Sequence, residues 1–503
     1  MVFAFIVGAT AVVYFRLSRG AYFGSDDWRI ASRGRTLDDF LEPYNGHFSI
    51  ILIGLYRTLF KVFGFDTYVP WRLACLLCLL GVPVALYLAM RNRTGPLIAG
   101  IVGSYILWFP GTALSVSSLN HYLSLIGAIG CAYALARRDP ASDMIVVAGL
   151  TLSLCASGGG VSAAVACIIY SLCTRANGRR WVAVLIPSGL WFVWWLAFAR
   201  NVERLGGFFR LDTRGIVDAT IEGARASFEG LSFANSLLGV ALIVAFFVLL
   251  ALRLRAGLAA AAGALAWSAA LITWWAGIAY SRGAFVTPHT FRYQVVGAVY
   301  IVLALLPPTP LSLPAGWRSW RGAVALALAS GAFVLVNHGG IVDQAARLTE
   351  RGEATKRDLI VVNLGPGVVP DSHQYGIELG NVTGGEYRHV ADVYGIPAGT
   401  KPASVDVALV ELDAITVKPV RRPPQPCTAP NNTIPAPVGA QLLIHAGNAA
   451  TDVGVRRFGE EFIAIGRIPM YGAARVSVRG DGSELPWIVS APGACIMLTP
   501  AAA

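Results

Sequence analysis

Charge is what this 503-residue chain has least of: Asp, Glu, Lys and Arg make up 14% of it, against about 25% in a soluble globular domain. Lysine occurs only at Lys61, Lys356, Lys401 and Lys418. The last third lacks any long apolar run, and the apolar runs of the first two thirds lack charges through their middles. That second absence excludes an ordinary soluble protein and argues against a proton-coupled carrier, which needs carboxylates near the bilayer midplane. Broken helices repeated in two halves, a common mark of carriers, are also missing. Gly158-Gly159-Gly160 and Gly365-Pro366-Gly367 lack the strand and helix that frame a nucleotide-binding loop, so both read as turns. His373, His389 and His445 are too scattered in sequence to argue for a metal.

What is present is apolar surface. Apolar residues reach 55%, and segments of about 15 to 25 residues are long enough to approach or cross a hydrocarbon core of roughly 30 Å. The expected spans are 2–18, 70–90, 96–110, 114–136, 142–156, 160–174, 181–199, 234–252, 256–280, 291–307 and 321–338. The first begins at Met1 without a basic n-region or a small-residue cleavage site, so it reads as a retained helix. The Trp191–Trp195 run reads as membrane packing and interfacial belt.

The net charge of +11 does not form a basic stripe on one domain, and no nucleic-acid partner is expected. Basic residues instead mark alternate short loops: Arg91 and Arg93; Arg137 and Arg138; Arg175, Arg179 and Arg180; Arg253 and Arg255; Arg318 and Arg321. Basic loops stay cytoplasmic. This predicts a multi-pass protein of the plasma membrane with its N-terminus inside and, for an odd helix count, residues 339–503 outside.

The expected fold is therefore an α-helical polytopic membrane protein of about eleven helices, residues 1–338, followed by a C-terminal, mostly β, extracytoplasmic domain, residues 339–503. Two outer loops are long. The first, 19–69, includes an amphipathic segment at 48–63 expected to lie in the interface. The second, 200–233, is rich in charge and expected to hold short helices. In the tail, Ile341–Arg357 has helical spacing. The runs Leu359–Val362, Val405–Val410, Leu442–Ile444, Phe462–Ile465 and Ile488–Val489 alternate with Gly, Pro, Asn and Asp as strands do. Of the eight cysteines, six lie in or beside apolar helices as small apolar filler, Cys75 and Cys78 among them. Cys427 and Cys495 are the pair in the tail, and an outer location predicts a disulfide between them.

Polar density collects in the outer loops. Tyr22-Phe23-Gly24-Ser25-Asp26-Asp27-Trp28-Arg29 places two carboxylates just beyond the first helix, beside aromatics suited to the headgroup region. Adjacent, partly desolvated carboxylates hold a proton more readily than isolated ones, so one of them can serve as a base near neutral pH. The same pair can instead cap a helix starting near Trp28. Asp38-Asp39 reads as a helix N-terminus. His47 is a candidate for positioning an acceptor or a phosphate, and Asn45 for the same role or for a helix cap. In the last outer loop, Arg282, His289 and Arg292 are candidates for a phosphate, since guanidinium binds it bidentately; contact with ordinary anionic lipid is the alternative. Arg204 and Arg210 are weaker candidates of the same kind.

An acidic pair after helix one, an interfacial helix in a long first outer loop, about eleven helices and an outer C-terminal domain together resemble the GT-C glycosyltransferases. That superfamily includes protein mannosyltransferases, aminoarabinose transferases and mycobacterial arabinosyl- and mannosyltransferases. The resemblance implies an inverting transfer of a sugar from a polyprenyl-phosphate lipid to a cell-envelope glycan, lipid or protein. It implies Asp26 as the base, with Asp27 as its acidic neighbour and Trp28 as support or acceptor contact. Some such enzymes use a divalent cation, Mg2+ or Mn2+, which Asp26 and Asp27 would hold; others use none. Some also carry outer β-rich domains that bind carbohydrate; a cap over the active site is the other reading of the tail. The competing class is a lipid or glycan transporter, or a polymerase-like envelope assembly protein, that makes no use of Asp26 as a base.

Overall fold

A computed structural model describes residues 1–33, 36–44, 47–109, 118–137, 139–200, 212–232, 235–282, 290–308, 320–363, 371–372, 382–400, 415–420, 433–437, 440–456, 462–478 and 486–499. The expected apolar spans are helical where they are described. In chain order the helices are α1 (Val2–Leu17), α2 (Ser25–Ser32), α3 (Leu37–Leu41), α4 (Ile50–Phe63), α5 (Val69–Leu107), α6 (Leu119–Leu135), α7 (Pro140–Ala156) and α8 (Gly159–Cys173). There follow α9 (Gly178–Trp194), which runs into a π-helical turn at Trp195–Ala199, then α10 (Thr213–Leu231), α11 (Ser236–Arg255), α12 (Leu258–Arg282), α13 (Phe291–Leu305), α14 (Trp320–Val362) and α15 (Gly384–Tyr394). Among the described residues, six helices are long and apolar enough to cross a membrane, and four shorter ones are similarly apolar. The chain is a multi-pass membrane protein. The two expected spans, 70–90 and 96–110, both fall in α5, which is two helices joined at Gly95, whose φ of 81° and ψ of 159° lie outside the helical region; a Cβ at Gly103 would lie 3.3 Å from the Pro83 carbonyl oxygen, so the two halves pack side by side. Gly tolerates that φ and the following Pro96 cannot continue the hydrogen-bond ladder, so the break falls where Arg91 and Arg93 interrupt the apolar run.

The contacts divide the chain into two units. One holds residues 1–19, 34–56 and 69–348; the other holds 20–33, 57–68 and 349–503.

In the first unit small residues let helices approach closely, as expected where lipid leaves packing to drive association. A Cβ at Gly127 of α6 would meet the carbonyl of Gly149 and lie 2.9 Å from the backbone nitrogen of Ser153, both on α7. Ser124 and Ser153 hydrogen-bond across the same contact at 2.9 Å. A Cβ at Gly223 of α10 would run into the Trp275 ring of α12, whose Nε1 donates to Ser227 at 2.9 Å. At the basic end Asp143 accepts from both Arg179 and Arg180, and Arg180 also donates to the carbonyls of Ala134 and Arg137. That is one carboxylate satisfying two guanidiniums beside helix ends.

Two expectations are corrected. The charged loop 200–233 does not hold short helices in its described part: Thr213–Leu231 is one helix of 19 residues, supported by the i,i+3 and i,i+4 pairs of Arg225 with Glu222 and Glu229. Leu359–Val362 is not a strand. It is the last turn of α14, which passes through Gly339-Gly340 unbroken. Buried Ile341, Ala345, Thr355 and Leu359 are separated by sums of three- and four-residue steps, the spacing of one helix face.

The second unit contains the β domain. Its strands are β1 (Ile415–Val420), β2 (Thr433–Ala436), β3 (Gln441–Ala446), β4 (Thr451–Arg456), β5 (Ile463–Ile468), β6 (Ala473–Val478), β7 (Trp487–Ser490) and β8 (Ala494–Thr499). They pair antiparallel in two four-stranded sheets, β1-β6-β3-β8 and β2-β7-β4-β5. Alternate side chains fill the space between the sheets, with Leu442, Ile444, Val453, Val455, Val476, Trp487 and Val489 all buried. Cys495 on β8 is disulfide-bonded. Cys427 lies outside the described residues.

Candidate functional site

The acidic pair sits at the start of α2. Asp27 is 4% exposed. Its Oδ2 accepts from the backbone nitrogen of Gly24 at 2.7 Å and from the Tyr68 hydroxyl at 3.2 Å. A carboxylate in the first helical turn that ties back to the residue before the helix is half of a capping box. Asp27 thus performs the capping task, whereas Asp26 is only half-buried. Trp28, beside the pair, is fully buried and stacks on Phe65 with ring centroids 4.6 Å apart. Phe23, Phe60 and Tyr68 complete an aromatic core that fixes α2 against residues 57–68. Asp38 and Asp39 take the helix-start role expected of them, with Asp39 and Thr36 forming the capping box of α3.

In the first unit, residues far apart in sequence converge. His47 follows a tight bridge in which its backbone and that of Tyr44 exchange hydrogen bonds at 3.0 and 2.9 Å. Phe48 packs on Trp194 at 4.4 Å, and the Trp194 Nε1 donates to the Leu41 carbonyl at 2.6 Å, so α9 holds this stretch of the first loop. A Cβ at Gly158 would lie 3.0 Å from the His47 Nδ1. The glycine turn before α8 therefore admits the imidazole.

His47 is half-buried but hemmed in by protein. Burial first, then the positive charges of Arg282 and Arg292, push its pKa down to about 4. These arginines stand at the C-terminal end of α12 and the N-terminal end of α13. His121, near the start of α6, belongs to the same neighbourhood: Arg292, His47 and Arg282 all act on it electrostatically. Its ring meets Trp274 and Tyr293 edge-on at 5.6 and 5.5 Å, and its Nδ1 is buried without a hydrogen-bond partner. The Arg292 guanidinium lies 5.0 Å from the centroid of the Tyr293 ring, with Nε likewise buried and unpartnered. Two arginines thus act on two imidazoles beside aromatic rings, a neighbourhood whose net charge suits an anion.

The structure thus brings together His47, Arg282 and Arg292, three of the sequence-derived candidates. The structure adds His121 and gives Gly158, a turn residue by sequence, a second task. Neither had a local signal, because what recruits them is the packing of α6 and α8 beside α12 and α13. Asn45, Arg204, Arg210, His289 and Cys427 lie outside the described residues. No group of three His, Cys, Asp or Glu able to hold a metal ion occurs among the described residues.

No family model and no curated protein matches the chain. Among solved structures it aligns with the crystal structure of ArnT from Cupriavidus metallidurans bound to undecaprenyl phosphate, at 16% identity and a TM-score of 0.46, over 82% of this chain and 92% of that one. The reading of the site rests on its own residues.

Proposed function

We propose that this protein is a membrane glycosyltransferase that moves a sugar from a polyprenyl-phosphate carrier to a hydroxyl of a cell-envelope acceptor. The observation that carries the proposal is that Arg282 and Arg292 both act electrostatically on His47 and His121, with Tyr293 touching both the His121 ring and the Arg292 guanidinium. Transfer breaks the bond between the sugar's anomeric carbon and a phosphate oxygen, and the electron pair leaves with the phosphate. Paired guanidiniums stabilise that growing charge and hold the carrier. A neutral His47 can donate one further hydrogen bond to the phosphate.

The acceptor hydroxyl must lose its proton as its oxygen attacks the anomeric carbon from the opposite side, inverting it. Asp26 is assigned as that base. What supports Asp26 over Asp27 is access: Asp26 is half-buried, whereas Asp27 is 4% exposed. No step is routed through a cation. Mannosyl and arabinosyl donors are both consistent with these residues, which contain no feature selective for either.

The test is transfer by the purified chain in liposomes, with labelled polyprenyl-phosphate sugars as donors. Asp26→Asn is expected to slow transfer by about 10²- to 10⁴-fold, the usual weight of a general base. Arg282→Gln and Arg292→Gln are expected to raise the KM for donor. Transfer undiminished in Asp26→Asn would remove the base from the proposal. Donor binding unchanged in both arginine variants would remove the clamp.

A further inference from the structure

A second cavity, of about 160 Å³, opens among the far ends of the same helices. It is lined by Arg93, Tyr170, Arg253, Ala260, Gly263 and Trp267, among others. Gly263 precedes Arg282 by 19 positions on α12, roughly 28 Å at 1.5 Å per residue. Leu303, also in its wall, follows Arg292 by 11 positions on α13, roughly 16 Å. The cavity is therefore distinct from the site around His47 and independent of the transferase reading.

Its charge is one-sided. Arg253 is 8% exposed, and its two recorded hydrogen bonds go to the neutral carbonyls of Ala304 and Leu305 at 2.8 Å. Arg93 is half-buried. No carboxylate lines the cavity among the described residues. The connections 91–95, 253–257 and 306–319 contain no Asp or Glu at all. The nearest acids in sequence along this end are occupied: Asp139 caps α7 by accepting from the Ser142 nitrogen, and Asp143 pairs with Arg179 and Arg180.

Arginines at helix ends commonly cap carbonyls, and Arg253 does so. Capping does not account for a cavity between two guanidiniums that no acid neutralises. Buried charge without a counter-charge is costly, and a bound anion removes that cost. Guanidinium geometry selects oxyanions of the phosphate type. The space accommodates one phosphate group with water around it.

We propose that this cavity is a binding site for a phosphate group, supplied either by a free phosphate ion or by the headgroup of an anionic lipid. Binding there joins the ends of α11, α12 and α13, the last two of which carry Arg282 and Arg292 at their opposite ends.

The experiment uses the full chain in detergent and in nanodiscs, comparing wild type, Arg93→Gln and Gly263→Leu. Gly263 has nothing within 4 Å of the position a Cβ would take, so a leucine there enters open space and leaves every charge in place. Both variants keep Arg282 and Arg292, which makes the difference from wild type specific to this cavity. Inorganic phosphate titrated at constant ionic strength is expected to bind wild type, and to bind Arg93→Gln about tenfold more weakly, as loss of one charge-assisted contact implies. Gly263→Leu is expected to lose the component of phosphate binding that Arg93→Gln weakens, while any binding at Arg282 and Arg292 persists in both. If inorganic phosphate is without effect but phosphatidylglycerol nanodiscs, and not phosphatidylcholine ones, raise the unfolding temperature of wild type above that of both variants, the ligand is a lipid headgroup. Equal responses of wild type and both variants to both ligands would overturn the proposal. Arg93→Gln keeps the test open should Gly263→Leu fail to fold.

Discussion

The clamp around His47 makes a quantitative claim about pH. Its imidazole takes a proton at about 4 rather than 6.5, which corresponds to about 3 kcal/mol against the charged ring. Burial is the larger cause, and the charges of Arg282 and Arg292 supply the rest. A phosphodiester anion bound between these arginines offsets their repulsion and raises the proton affinity of His47. By linkage, a proton on His47 must then raise the affinity for the phosphodiester. Affinity for a non-transferable phosphodiester analogue of the donor is expected to be flat above pH 6.5. Below that it is expected to climb toward pH 4 by no more than about tenfold per unit. A diester does not titrate in this window, so the slope reports the protein. His47→Gln is expected to abolish the slope, and Arg282→Gln to move the His47 titration upward. Histidine-ring NMR with His47→Gln for assignment reads the titration, and equilibrium binding reads the slope. A ring titrating near 6.5 in the free protein, or a slope that survives in His47→Gln, would refute the reasoning. The same displacement acts on stability. The unfolded ring binds its proton at 6.5 and the folded ring only near 4, so this contribution is fully present above pH 6.5 and is lost as pH falls from 6.5 through 4.

Other consequences concern the scaffold. Asp143→Ala leaves Arg180 buried without its carboxylate and is expected to destabilise the chain by about 3–5 kcal/mol, read as a fall in unfolding temperature. Gly127→Leu forces α6 away from α7 and is expected to lower the yield of folded protein, while the same change at Gly130, whose Cβ position meets only Ile145, is tolerated. Trp487→Ala empties the centre of the β domain and is expected to cost about 3–5 kcal/mol by denaturant unfolding. Tyr68→Phe removes one donor from Asp27, and about 1 kcal/mol of stability is expected to go with it, with transfer little changed if Asp26 is the base.

Much of the architecture was legible from amino-acid order alone. Apolar length marks helices irrespective of what packs on them, and the Arg91–Gly95 interruption marked the break between the two helices of α5 because charge, glycine and proline act locally. The α3 cap and the strand positions of β3, β5 and β7 follow from equally local rules. Leu359–Val362 misled because a four-residue apolar run has the same composition in a strand and in a helix's last turn; the preceding face, Ile341 to Thr355, decided it.

The arginines at the ends of α12 and α13 and the histidine of the first loop could be named as candidates from residue type and distance to an apolar run. Their meeting could not, since it depends on α9 gripping Phe48, on a bare glycine at 158 making room for an imidazole, and on α6 delivering His121. Likewise Asp26 and Asp27 are equivalent as letters, and a hydroxyl from Tyr68, 41 positions away, makes them different groups. Order along the chain determined which segments are oily and which are charged, because transfer from water is a property of each residue. The tertiary structure decided which charges face one another, because electrostatics depends on distance in space and not on distance along the chain.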